Sequence, residues 1–228
     1  MIWFTSDHHL GHASIIRYTN RPFPDVQTMD NELIDRWNAV VRGADVVYHL
    51  GDFCLGPRAM ALPYLTRLNG RIRLLSNPWH HDHSWLPKKE FGVMPDWLSA
   101  SKSPIELLPP IEVLEFPGYG DGRYPKPVVL CHYPIARWDR SHYGSWHLHG
   151  HCHGRYKVPG LLMDVGVDAT GLFRPVSIEE VAAEMQRKTM TGIPACIRNC
   201  EERHLGIEDD ETAAPISIEK MAKEGRTA

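Results

Sequence analysis

This chain of 228 residues lacks a strong charge of either sign: 25 Lys and Arg stand against 28 Asp and Glu, a net charge of -3. Nothing global therefore draws it to nucleic acid or to an anionic membrane, which leaves only a local basic groove for such contacts. It has no apolar run near the roughly 18 residues of a spanning helix, so no membrane partner is expected. The short apolar start at residues 2–4 runs straight into Asp7 and His9, which is not the pattern of a signal peptide. The five cysteines are odd in number and do not form a disulfide framework. Cys54, Cys131 and Cys152 each sit beside a polar cluster, where small reduced thiols fit, and a cytoplasmic location is the expectation. Internal repeats are absent as well. At 43% hydrophobic and 23% charged residues the composition is that of an ordinary globular domain with a sizeable core.

What the chain does have is histidine, fourteen in all. Most fall where an apolar segment ends. Residues 2–5 run into Ser6-Asp7-His8-His9, and Val46-Val47-Tyr48-His49-Leu50 runs into Gly51-Asp52. Residues 72–75 lead to Ser76-Asn77, with His80-His81-Asp82 close behind. Residues 128–130 lead to Cys131-His132, and His147-Leu148-His149 leads to Gly150-His151-Cys152-His153. Parallel strands place their C-terminal ends along one edge of a sheet, where ligands and catalytic groups gather. Five such clusters point to an α/β fold that brings distant Asp, Asn and His residues to one site.

The periodicity predicts a helix over residues 28–42, with Met29, Leu33, Ile34, Trp37, Val40 and Val41 on one apolar stripe and Thr28 as N-cap. A strand over 45–50, a helix over 57–68 and a strand over 71–75 make a strand–helix–strand unit, which argues for parallel pairing. A short helix is expected around residues 94–98, and an antiparallel pair from 105–108 and 111–116 across Pro109-Pro110. Strands over 128–131, 146–149 and 161–164 follow, then a helix over 178–187 capped by Ser177. The whole reads as a mixed sheet with helices on its outer faces. Residues 1–187 form the domain, and residues 188–228 a polar, peripheral or flexible tail. Cys196, Cys200 and His204 in that tail lack the paired spacing of a structural zinc site.

The donors, taken in order, are what a two-metal hydrolase needs. Two divalent ions about 4 Å apart require a shared anionic bridge and a shell of oxygens and imidazoles. Asp52, with Gly51 before it, is the natural bridge; Asp7 and His9, two residues apart, can bind one ion together, and His151 and His153 repeat that spacing. The chemistry that follows is phosphate-ester hydrolysis by a bridging hydroxide. Asn77 has a plain alternative as a turn residue before Pro78. His147 and His149 divide between core packing and hydrogen bonding behind the ligands. His12 and the aromatic Trp79 are candidates to touch the substrate, and Trp138 is a further stacking candidate.

Asp7-His8-His9, Gly51-Asp52-Phe53-Cys54-Leu55-Gly56, Asn77, Cys131-His132-Tyr133-Pro134 and Gly150-His151-Cys152-His153 together resemble a calcineurin-like metallophosphoesterase. Residues 145–151, the stretch Asp164-Val165-Gly166-Val167-Asp168 and Arg174-Pro175-Val176 are similar to a compact bacterial and bacteriophage branch. The resemblance implies a four-layer αββα sandwich with mixed β-sheets. It implies one ion on Asp7, His9, Asp52 and His153 and a second on Asp52, Asn77, His132 and His151, with Mn favoured over Fe, Ni and Zn. The third motif departs from the family pattern Gly-Asn-His-Asp: Ser76 replaces the Gly, and Pro78-Trp79-His80 separate Asn77 from His81-Asp82. For the general acid, His81 with its Asp neighbour is preferred over His80. The implied function is a dimetal-dependent phosphodiesterase acting on nucleotides or nucleic-acid ends, with no obligate protein partner. Its rivals are a phosphomonoesterase or protein phosphatase, and a catalytically weak phosphoesterase fold serving as a protein-binding scaffold.

Overall fold

Two mixed sheets and several helices make up the α/β fold of the computed structural model, which describes residues 1–77, 79–87, 91–120, 125–156 and 159–190. The first sheet is built from β1 (Ile2–Thr5), β2 (Val46–His49), β3 (Arg71–Leu75), β4 (Gly92–Leu98), β5 (Pro104–Leu108) and β10 (Val176–Ser177), in the order β10-β1-β2-β3-β5-β4. Its four central strands are parallel and both edge strands antiparallel. The second sheet holds β6 (Ile111–Phe116), β7 (Lys126–Cys131), β8 (Trp146–His149) and β9 (Leu162–Asp164); β6 runs against β7, and β7, β8 and β9 are parallel.

Alternation along the strands explains the layering. Val47 and Leu74 turn to one face of the first sheet, where Ile15 of α1 (Ala13–Thr19), Met29, Leu33 and Trp37 of α2 (Val26–Val40) and Leu65 of α3 (Arg58–Leu65) cover them. Phe4, Tyr48, Leu75 and Leu108 turn to the other face and meet Phe116, Val128, Leu130 and Leu148 of the second sheet; after the short α4 (Val167–Thr170), Val181 and Met185 of α5 (Ile178–Met190) join them. A strand with apolar residues on both faces is thus a strand between two cores. Truncating a fully buried member such as Leu130 to Ala costs about 2–5 kcal/mol.

Helix ends follow their caps. The side chain of Asp25, not Thr28, caps α2, accepting from the Thr28 N–H at 2.8 Å, so the helix begins before the expected position. Ser177 caps α5 as expected: its Oγ accepts from Glu180 N and Glu180 Oε2 accepts from Ser177 N, a reciprocal box that holds Glu180 in the first turn.

Two expectations fail. Residues 94–98 are strand rather than helix, because they pair along the edge of β5, where Pro95 forfeits no ladder bond. Segments 105–108 and 111–116 are strands but not partners. Pro109-Pro110 ends one and carries the chain into the other sheet, so β5 pairs with β3 and β4, and β6 with β7. All the elements fall in one compact unit. The tail from 191 lies outside the described residues, and the Cys196, Cys200 and His204 trio with it; α5 itself runs to Met190, past the expected boundary at 187.

Candidate metal centre

The parallel strands β1, β2, β3, β7 and β8 all deliver their C-terminal ends to one place. A bridge between Ser6 and Gly166, and the His151 N–H on both carboxylate oxygens of Asp7 at 3.1 and 3.0 Å, join the edges of the two sheets there. The backbone leaves each strand abruptly. Among the described residues nine non-glycine residues have positive φ, and five of them are Asp7, His9, Asp52, His151 and His153. Such conformations are held by few residues in any protein and persist where the surroundings enforce them, typically at functional sites. Gly150 is required for a different reason, close approach: a Cβ there would lie 2.5 Å from Asp7 Oδ2.

Six of the seven expected ligands converge. Asp7, His9 and His153 each offer a donor atom within 4.8 Å of the others, and so do Asp52, His132 and His151. Asp52 lies between the groups: its Oδ2 is 3.5 Å from His9 Nε2 and 3.5 Å from His132 Nε2. Donors that share an ion through bonds of about 2.1 Å sit roughly 3–3.5 Å apart. His9 Nε2 and both nitrogens of His132 are buried without a hydrogen-bond partner, an arrangement costly unless something else engages them. The residues therefore fit a pair of divalent cations.

Electrostatics agree with that fit. Burial drives the His9 pKa well below its usual value, which keeps the ring neutral and able to ligate. Burial alone would raise Asp52, but His132 and His9 outweigh it, so its carboxyl is held well below the ordinary range and anionic. Asp7 moves the other way: burial first, then the carboxylates of Asp164 and Asp52, push it well above the usual value. A cation among these carboxylates relieves that crowding.

The remaining expectations divide. Asn77 Oδ1 accepts from the Trp79 N–H at 2.9 Å, the side-chain turn open to an Asn before Pro, and that oxygen keeps a second lone pair. The Asn77 side chain lines a neighbouring cavity of about 280 Å³ with His83, Leu86 and Phe91. His80 instead is buried beside Asp52 and Asp82. His81 stands on the more open side with His9 and His12, its ring 5.0 Å from that of His9 and 5.4 Å from that of His12. Asp82 accepts from Phe53 N, Cys54 N and Trp85 Nε1, tying the loop after Asp52 to the loop of His80 and His81. Trp79 is 81% exposed, while Trp138 is partly buried and packs against the core between the sheets. His147 is structural: its Nδ1 donates to Val129 O and its Nε2 accepts from Ile135 N.

Three supporting residues were missed by the sequence reading. His153 Nδ1 donates to Asp168 Oδ2 at 2.7 Å, which fixes the tautomer and leaves Nε2 for an ion. Arg21, its side chain fully buried, grips Asp168 through Nε and Nη2 at 2.8 and 2.7 Å and donates to the carbonyls of Asp7 and His8. Tyr133 packs its ring on His132 and His151 and donates to Trp79 O. Asp168 lay in the stretch shared with the compact branch, but no pattern tied Arg21 to it across 147 residues.

No family model matches the chain. It is 33% identical over 157 residues to an uncharacterized protein of Methanocaldococcus jannaschii, spanning 68% of this chain and 70% of that one. The chain belongs to the family of that archaeal protein. The family reaches into viruses: the gene 66 protein of Mycobacterium phage D29 is 30% identical over 68% of this chain and 79% of its own. That of Mycobacterium phage L5 is 28% identical over 78% and 91%. Among solved structures, a protein of unknown function from Aquifex aeolicus superposes with a TM-score of 0.54 at 20% identity, covering 79% of this chain and 97% of that one, a likeness of fold.

Proposed function

We propose that this chain is a dimetal-dependent phosphoesterase of the calcineurin-like type, an αββα sandwich that hydrolyses phosphodiester bonds of nucleotides or nucleic-acid ends. The observation that carries the reading is the position of Asp52 Oδ2, 3.5 Å from a buried imidazole of each donor group. Two divalent cations bound there supply an acidified water and neutralise charge on the phosphoryl oxygens. The residues of the chain do the rest. Asp7, His9, Asp52, His132, His151 and His153 fix the geometry in which the phosphorus is met in line. His81 gives its proton to the departing oxygen from the open side of the centre, beside His9 and His12. His12, its ring 5.4 Å from that of His9, would meet a phosphoryl oxygen, and the exposed Trp79 would offer a ring for a base to stack on.

Diesters are favoured over monoesters because a poor alkoxide leaving group needs an acid, and a histidine is in place to serve. Turnover of a chromogenic diester and of the matching monoester, with manganese added, tests this. The diester is expected to be the better substrate, and His81→Ala to lower its kcat by about 10²–10⁴-fold while the metal content stays unchanged. Metal binding with no turnover of either substrate would favour the protein-binding scaffold, and a better monoester rate the phosphomonoesterase.

A further inference from the structure

We infer that the cavity lined by Asn77 and His83 is a pocket for one nucleobase of the substrate. The inference rests on the phosphoesterase reading above and names the part of the substrate that is recognised. The cavity lies where β3 and β5 end: Ser76 and Asn77 follow the one and Pro110 the other, at the edge of the sheet where ligands gather. Its volume of about 280 Å³ falls just below the range of about 300–1,000 Å³ for pockets that hold a whole drug-sized ligand. It therefore suits a single ring system rather than a complete nucleotide.

Two kinds of wall meet there. Leu86, Pro87, Phe91 and Pro110 supply apolar surface, and Phe91 is 54% exposed. An open aromatic face is what a base stacks on. The polar wall is more telling. Ser76 and Asn77 are 7% and 6% exposed, yet the Ser76 hydroxyl and the Asn77 amide nitrogen have no hydrogen-bond partner among the described residues. Buried polar groups are seldom left so. His83 Nδ1 donates to the His80 carbonyl at 2.8 Å, which leaves Nε2 of the neutral ring as an acceptor. A hydroxyl that gives or takes, an amide that donates and an imidazole that accepts match the mixed edge of a base. No Asp, Glu, Lys or Arg is among the described lining residues, so an anion finds no counter-charge and a neutral ring fits better.

The pocket and the metal centre share a loop. Asn77 and His83 line the cavity; between them in the chain, the His81 N–H donates to Asp52 Oδ1 at 2.9 Å, and Asp82 accepts from the N–H groups of Phe53 and Cys54. The segment that reads the base is thus the one that carries the proposed acid and rests on the bridging carboxylate.

The test uses the full-length chain and reads binding of adenosine and of uridine by equilibrium dialysis, with ribose as the ligand that lacks a base. Nucleosides carry no phosphate, so their binding is read apart from hydrolysis. Both are expected to bind saturably, and ribose not to bind. Phe91→Ala is expected to weaken the nucleosides about 5–150-fold, the equivalent of one stacking contact of about 1–3 kcal/mol. Phe91→Leu, which keeps apolar surface but not the flat face, is expected to weaken them as well, and serves should Phe91→Ala fail to fold. With manganese added, Phe91→Ala is expected to raise KM for a dinucleoside phosphate while metal content stays as in the parent. A parent that binds neither nucleoside, or binds ribose equally well, would overturn the inference. So would parental binding in the Phe91 variants with loss in Trp79→Ala, which would place the base on the exposed ring. Nucleoside binding in a metal-loaded chain that hydrolyses no diester would overturn the phosphoesterase reading and leave the pocket in place.

Discussion

The two halves of the metal centre are supported very differently. Around Asp7, His9 and His153 two of the three ligands are braced: His153 by Asp168, Asp168 by a buried Arg21 that also holds two loop carbonyls, and Asp7 by the His151 N–H. Around His132 and His151 the support is ring packing by Tyr133 rather than hydrogen bonds to the ring nitrogens. The nitrogens of His132 have no hydrogen-bond partner, and His151 is exposed. The first half is thus held by more hydrogen bonds than the second. On the two-metal proposal the braced half would fill first.

The comparison breaks most visibly at Arg21. Arg21→Met strands a buried Asp168 carboxylate and is expected to lower the stability of the metal-free protein by about 3–5 kcal/mol in denaturant unfolding. His151→Ala, at an exposed position of the other half, is expected to shift it by less than about 0.5 kcal/mol. Equal losses would erase the asymmetry. A gentler change is Asp168→Asn, which keeps the shape but not the charge behind His153. Affinity for the first ion should fall about 10–100-fold, and that for the second should not move.

A pH dependence lies beneath the first half, where His49 Nδ1 accepts from Gly51 N and its Nε2 donates to His8 Nδ1 at 3.0 Å. Burial lowers the His8 pKa to about 3 and that of His49 well below its usual value. The unfolded chain therefore binds protons that the folded one refuses. Stability of the metal-free protein is full above pH about 6.5 and declines as pH falls from there toward 3. Each such group contributes a slope of at most about 1.4 kcal/mol per pH unit, and His49→Gln should make the decline shallower. A pH-independent stability over that range would count against a neutral buried pair.

Much of this was legible in the chain. A ligand that follows an apolar strand is marked twice, by the strand and by its own chemistry, and six of the seven expected ligands do converge. Asn77 carried the same double mark, and its Oδ1 makes the turn that a residue before proline also makes, so one residue type in one place serves both readings. Arg21 and Asp168 were hidden for another reason: the pair forms across 147 residues, so no local period or spacing records it. The separation of β5 from β6 was hidden because Pro109-Pro110 serves a hairpin and a sheet crossing equally well, and partner choice is settled by the cores on either side.

The central claim, that Asp52 bridges two ions, is tested most directly by counting metal. Elemental analysis of the parent chain, after loading with divalent metal and dialysis, should find two ions per chain; Asp52→Ala, folded by circular dichroism, should retain neither tightly. A variant that still holds two ions with parental affinity would contradict the account.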